Sequence, residues 1–232
     1  MKNKFWLISI LICYWALIHE AVAQENEQFP VLAIEYPPFT TEEHPDGGLL
    51  MAELTAKTAP YALLPKPIFM PLVRVQRTLQ EGDWCASFAP PLGFENYPSV
   101  ATSLERLTFH LYRVKQKAPF QWQTFSELKG REVALIRSME GTIVTQELLQ
   151  SGIRPIYVNS LAQALKMAAK MRVDYALADE YSYQYYQQQG VLGGRFLEAS
   201  EQTIYEFESR LWLNPECSYS SQIQAIFSSA AP

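Results

Sequence analysis

The chain has 232 residues, of which 48% are hydrophobic and 19% charged, so it is long and apolar enough to bury a sizeable core and is not a disordered polymer. Its formal charge of −5 gives no electrostatic footprint for nucleic acid. Three scattered histidines (His19, His44, His110) form no metal-ligand cluster, and no phosphate-cradling glycine loop, G-x-S-x-G or C-x-x-C is present.

The first residues read as a leader rather than as fold. Lys2 and Lys4 precede an apolar run of 14 residues, Phe5 to Ile18, and Ala21-Val22-Ala23 places small residues where a signal peptidase cleaves. The run is shorter than the roughly 20 residues a membrane span needs. Cys13 follows Ile12, not the small residue a lipoprotein signal requires. Cleavage after Ala23 predicts a secreted, periplasmic chain. The leader holds Lys2, Lys4 and Glu20, so the remainder carries close to −6. Two cysteines stay behind, Cys85 and Cys217; in an oxidising compartment they either pair or serve as two small buried hydrophobes.

Along the mature chain, strand and helix patterns alternate. Val31–Glu35 reads as a buried strand ended by Tyr36-Pro37-Pro38-Phe39, because two prolines cannot continue a ladder. Leu49–Thr58 has helical spacing, and Tyr61–Phe69 is extended. Pro71 opens a helix with an apolar stripe of Leu72, Val75 and Leu79, and Gly82 ends it. Trp84–Phe88 is a third strand, followed by a proline-containing stretch without clear period, 89–103. Leu107–Val114 is extended. The pattern then restarts: a helical turn at 125–129, strands at 132–136, 155–158 and 174–178, and helices at 141–150, after the cap Ser160, and at 179–189. Tyr205–Leu213 is a long extended run, and 218–227 a last helix. The expected fold class is α/β: two mixed sheets flanked by helices, with the segments near 107–114 and 205–213 at their seam.

These residues resemble the extracytoplasmic solute-binding proteins of the polar amino-acid type (family 3), a type II two-lobed fold. The resemblance rests on Tyr36-Pro37-Pro38-Phe39, Pro71-x-x-Arg74, Gly82-Asp83-Trp84, Leu128-Lys129-Gly130-Arg131-Glu132-Val133-Ala134 and Val173-Asp174-Tyr175-Ala176-Leu177-Ala178-Asp179, in that order. It implies residues 24–108 and 208–232 in one lobe, 109–207 in the other, and a ligand between them. By the same resemblance Tyr36 packs on the ligand, Met70 lies at a second contact loop, and the backbone of Phe88 and Ala89 touches the ligand. Arg137, Met139, Glu140 and Gly141 supply the second lobe's loop and helix start, and Asp179 takes an ammonium group. No cofactor is implied. The partners would be a small polar solute and a membrane ABC permease or receptor, with the chain itself a monomer.

Two positions depart from the family. Asn96 stands where an arginine clamps the ligand carboxylate, and an amide has neither the charge nor the fork of a guanidinium. Cys85 stands where an aspartate is usual. The residues also keep plainer readings open. Asp179 either binds an amine, caps its helix, or does both. Glu140 either meets a ligand or complements a helix dipole. Arg74 either replaces the missing anion contact or is a surface residue, and Arg137 either faces the cleft or does not. Tyr181, Tyr183, Tyr185 and Tyr186 either form a cage or pack around their helix. Two other functions stay in view: an enzyme resembling cyclohexadienyl dehydratase with Glu140 as acid/base group, and an orphan interaction protein. The leader makes one direct prediction: secreted protein begins at Gln24. Intact-mass measurement checks it, and Met1 retained in a membrane fraction contradicts it.

Overall fold

A computed structural model describes residues 26–91 and 96–229. The leader and its cleavage point lie outside the described residues, as do Phe94 and Glu95 beside Asn96. Among these residues there are nine strands and six helices. In chain order they are β1 (Glu27–Ala33), α1 (Leu49–Thr58), β2 (Leu63–Phe69), α2 (Leu72–Glu81), β3 (Ala86–Ser87), β4 (Ser99–Val114), β5 (Glu132–Ile136), α3 (Ile143–Gln150), β6 (Arg154–Val158), α4 (Leu161–Ala169), β7 (Tyr175–Asp179), α5 (Glu180–Gln188), β8 (Leu197–Ala199), β9 (Tyr205–Leu213) and α6 (Ser220–Ser229). No helix among them is long and apolar enough to cross a membrane.

The strands hydrogen-bond in the order β2-β1-β3-β9-β4-β7-β5-β6, with β8 on β4. β1, β2 and β3 are parallel, β5, β6 and β7 are parallel, and the antiparallel pair β4–β9 joins the two sets. Alternation sorts side chains by face, as a period of two demands. In β1, Phe29, Val31 and Ala33 pack with Met51 and Leu54 of α1 and Ile223 and Ile226 of α6. Leu32 points to the other face, against Val75 and Leu79 of α2 and Trp84. In the second set, Val133, Leu135 and Leu177 meet Leu148 of α3, while Ala134, Ala176 and Ala178 let α4 approach closely through Ala164 and Ala168.

Edge strand β2 carries Pro65 and Pro67 at alternate positions of a seven-residue strand. Prolines have no N–H to offer, which blunts an edge against pairing with another chain.

The β4–β9 ladder breaks in register. Ala101 pairs with Arg210 and Arg106 with Glu208, so four residues of β4 face one of β9. The Thr102 hydroxyl fills the gap by donating to Ser209 Oγ at 2.7 Å. Glu53 of α1 accepts from the Ser103 backbone N–H at 2.9 Å and from its hydroxyl at 2.9 Å, tying the irregular segment to the β1–β3 side.

Cys85 and Cys217 are joined by a disulfide, with Cα atoms 5.2 Å apart. The bond links the end of the β3 approach to the turn before α6 across 132 positions of sequence. Closing so long a loop removes denatured-chain entropy, worth about 2–5 kcal/mol. Unfolding free energy from urea titration should fall by about that amount in a Cys85→Ser/Cys217→Ser variant, and wild type in reductant should approach the same value.

Candidate functional site

Two of the expected contact residues, Tyr36 after β1 and Asp179 at the end of β7, meet beside Phe109 of β4 and Tyr205 of β9. Where β1 stops, Tyr36 N–H donates to Thr40 O at 2.8 Å and Phe39 N–H to Tyr36 O at 3.0 Å, so the Tyr36-Pro37-Pro38-Phe39 segment is a tight turn containing a cis Pro37–Pro38 bond. The turn sits on the start of α1: Leu49 and Leu50 donate their N–H groups to Pro38 O and Phe39 O, both at 2.9 Å. Gly48 is needed for this approach. Its φ is +94°, and a Cβ there would lie 2.5 Å from Phe39 O. The turn thereby aims the Tyr36 side chain across the fold.

Tyr36 Oη donates to Asp179 Oδ2 at 2.7 Å. Asp179 is the last residue of β7 and the N-cap of α5, where its Oδ1 accepts from Ser182 N–H at 2.9 Å. It is 0% exposed, and no ion pair among the described residues involves it. A buried carboxylate without a cation must be held by hydrogen bonds and by the positive end of a helix. Both are present here: two donors and the α5 N-terminus.

Aromatic rings surround this carboxylate. Phe109 is the cross-strand neighbour of both Asp179 and Tyr205, and it stacks on Tyr205 with ring centroids 4.3 Å apart. Tyr36 stacks on Phe39 at 5.9 Å, and Phe39 meets the half-exposed Tyr181 edge-on at 5.8 Å. Burial, reinforced by the Asp179 charge, pushes the Tyr36 phenol well above the ordinary tyrosine range. The same two causes raise Tyr205, and burial with nearby carboxylates raises Tyr112 and Tyr186. The tyrosines of α5 do not form a cage. Tyr183 packs on Tyr112 and holds β8 through Leu197, Tyr186 is buried in the core, and Tyr181 stays at the rim.

The other expected residues take varied positions. Phe88 packs into the same cluster as Tyr36. The backbone of Ala89 is already satisfied: Ser87 Oγ accepts from its N–H at 3.1 Å and donates to its carbonyl at 2.8 Å. Met70 packs against the Leu32–Val75 cluster, and the Thr78 hydroxyl donates to its sulfur at 3.6 Å. Met139 lies in the core, where its carbonyl accepts from the hydroxyls of Thr142 and Thr145. Arg74, Asn96, Arg137, Glu140 and Gly141 are exposed. Arg137 and Glu140 face each other at 3.9 Å, a loose surface pair. The direct contact is therefore between Tyr36 and Asp179, and the polar residues at 74, 96, 137 and 140 remain open to solvent. Phe109 and Tyr205 were not among the sequence-derived candidates. Their signal is the alternation of β4 and β9, which turns both rings to the face carrying Leu107, Leu111 and Phe207.

Solved structures with the same arrangement exist at low sequence identity. An ancestral arginine-binding protein bound to arginine matches with a TM-score of 0.64 and 15% identity, over 88% of this chain and 92% of that one. The GluR0 ligand-binding core from Nostoc punctiforme in complex with L-glutamate matches with a TM-score of 0.67 and 14% identity, over 87% and 92%. A putative L-cystine ABC transporter from Listeria monocytogenes matches at 0.65 and 10%, over 88% and 89%. No sequence-family model matches the chain, and a comparison with curated protein sequences finds no match.

The Tyr36–Asp179 bond makes two predictions. Tyr36→Phe removes a hydrogen bond to a charged group and should cost about 1.5–3 kcal/mol in chemical denaturation. A phenol kept neutral by folding holds its proton above the value of about 10 at which the unfolded chain releases it. Stability should thus be flat through neutral pH and fall as pH rises above about 10, more gently in Tyr36→Phe. The fold that positions these residues is the two-lobed, type II periplasmic-binding-protein fold.

Proposed function

We propose that this chain is an extracytoplasmic binding protein that captures a small amine-bearing solute between two lobes and performs no chemistry of its own. The proposed lobes are 24–108 with 208–232, and 109–207, with the leader removed after Ala23 on export to the periplasm. A membrane permease or receptor would read the loaded form. The observation that carries this reading is Asp179: a buried carboxylate at a helix N-terminus, between the two proposed lobes, in no ion pair among the described residues. Such a group is suited to an ammonium ion, because an ion pair adds the attraction of a second charge to the hydrogen bond that the neutral Tyr36 hydroxyl supplies. Neighbours of this fold include proteins described as bound to arginine, glutamine and L-glutamate, which supports an amino-acid-like solute. Asn96 weakens the other half of that likeness, since an exposed amide offers a carboxylate no counter-charge.

One observation favours a second reading, an orphan that holds no free solute. The Tyr36 hydroxyl already occupies Asp179, and the Ala89 backbone is already bonded to Ser87. In that case the closed form is the resting form.

Calorimetry separates the two. A diamine and an α-amino acid are titrated against wild type and Asp179→Asn, which keeps an acceptor for the helix cap but loses the charge. The amine ligand should bind wild type and lose tenfold to several-hundredfold affinity in Asp179→Asn. Tight binding of a simple dicarboxylate, unchanged in Asp179→Asn, would overturn the amine reading. Absence of binding or thermal shift across amines, amino acids and organic acids would support the orphan.

A further inference from the structure

Basic charge is segregated. Residues 109–207 hold eleven of the 17 lysines and arginines that follow position 23. Strand directions place nearly all of them at one end. β5, β6 and β7 are parallel and β4 runs against β7, so the starts of β5, β6 and β7 share a pole with the end of β4. The opposite end of β7 is Asp179, which pairs with Phe109 within β4. Exposed Lys115 and Lys117 follow β4, Lys129 precedes β5, and Lys170 and Arg172 lie between α4 and β7; none of the five is in an ion pair among the described residues. Three more arginines at this pole are neutralised by Glu198, Asp174 and Glu132. Arg113, Lys115, Arg131 and Arg172 line one recess of about 620 Å³, with Glu132 and Asp174 already paired to arginines on its wall. A concentration of unpaired positive charge on a chain that is negative overall is an electrostatic footprint for an anionic partner.

Two exposed apolar side chains stand among these charges. Met171, 68% exposed, lines the same recess. It occupies the left-handed position that ends α4, with φ 55°, while Met171 N–H donates to Ala168 O and Arg172 N–H to Met167 O. Glycine is the usual residue at that position, because a Cβ is strained there. Phe196, 69% exposed, sits between Arg195, which donates to Ala169 O at the end of α4, and Leu197, which pairs with Val114. Lysines and arginines around protruding apolar residues suit an anionic bilayer surface, where the charges meet headgroups and the apolar groups enter the interface. An acidic protein would match the charge but leave Met171 and Phe196 without a reason.

We propose that this pole docks on an anionic lipid bilayer, with lipid phosphate beside Lys115 and Arg172 at the recess, leaving the Asp179 end directed away from the membrane. The proposal does not depend on what the cleft binds. Co-sedimentation of the full mature chain with vesicles tests it. Vesicles containing phosphatidylglycerol should retain the protein at low salt, and pure phosphatidylcholine vesicles should not. Lys115→Glu/Arg172→Glu should weaken retention at least thirtyfold, at about fivefold for each basic residue lost and more for reversal. Phe196→Ser should weaken it severalfold without changing the salt dependence. Far-ultraviolet circular dichroism of each variant confirms folding, which surface substitutions leave intact. Equal retention on both vesicle types, none on either, indifference to charge reversal, displacement by millimolar inorganic phosphate, or an unaltered Phe196→Ser would each overturn the proposal. The last two would point instead to a soluble anion or an acidic protein as occupant.

Discussion

The β4–β9 ladder is the hydrogen-bonded seam between the two sets of parallel strands, and the site depends on how that seam is built. Both strands are long enough to serve each set in turn. Their first shared segment belongs with β3, their second with β7. A uniform ladder would make the whole sheet stiff. The register shift at 102–105 interrupts it, so backbone pairing is absent where the two sets meet. The buried Thr102–Ser209 contact and the Glu53–Ser103 bonds keep that interruption from exposing unpaired groups. The break precedes the stretch of β4 that carries Phe109 and follows the stretch of β9 that begins with Tyr205.

Beyond the seam, the Tyr36–Asp179 hydrogen bond and the Phe39–Tyr181 ring contact join the two sides of the site. Tyr36 reaches Asp179 across 143 positions of sequence. The aspartate is made by local rules: it ends a strand and caps a helix. The tyrosine is aimed by a turn that depends on Gly48 and on the exposed N–H groups of α1. Two local motifs thus meet at one carboxylate. The lining is aromatic and the acid has no cationic partner, so burial keeps the phenols neutral and leaves the carboxylate dependent on donors.

Much of the fold was legible because it follows local periodicity. The bounds of α1, the Pro71 start and Gly82 end of α2, β5, β9 and the Ser160 cap of α4 all agree with spacing and capping rules. What failed to show was long-range. Residues 99–103 fall within the proline-containing stretch without clear period, yet they are strand, because β9 pairs with Ser99, Val100 and Ala101. β8 is three residues held by β4 and by the Tyr183 hydroxyl, too short for any period. Trp84 and Cys85 looked like strand, but pairing covers only Ala86 and Ser87. The capping role of Asp179 was one of two readings open in sequence. The tyrosine on its other oxygen could not be read, because nothing local relates a turn at 36 to a helix start at 179.

The exposed Asn96 and the covered Asp179 bear on one another. A zwitterionic amino acid in a two-lobed cleft needs a counter-charge at each end. Among the described residues the one buried charged side chain is the acid, and a neutral hydroxyl with a backbone N–H already satisfies it. An incoming ammonium must break that bond, replacing about 1.5–3 kcal/mol with an ion pair in which both partners are charged. The difference drives binding but is smaller than the full strength of the new bond. If the closed, self-bonded form dominates, apparent affinity falls further by the fraction of molecules in which Asp179 is free. On the proposed reading both effects act on the amine end, and Asn96 offers no guanidinium at the carboxylate end. A ligand carrying a second ammonium in place of the carboxylate would lose nothing at Asn96, since an amide oxygen accepts from it. The amide and the covered acid would thus shift preference in one direction, toward ligands whose charge is purely positive.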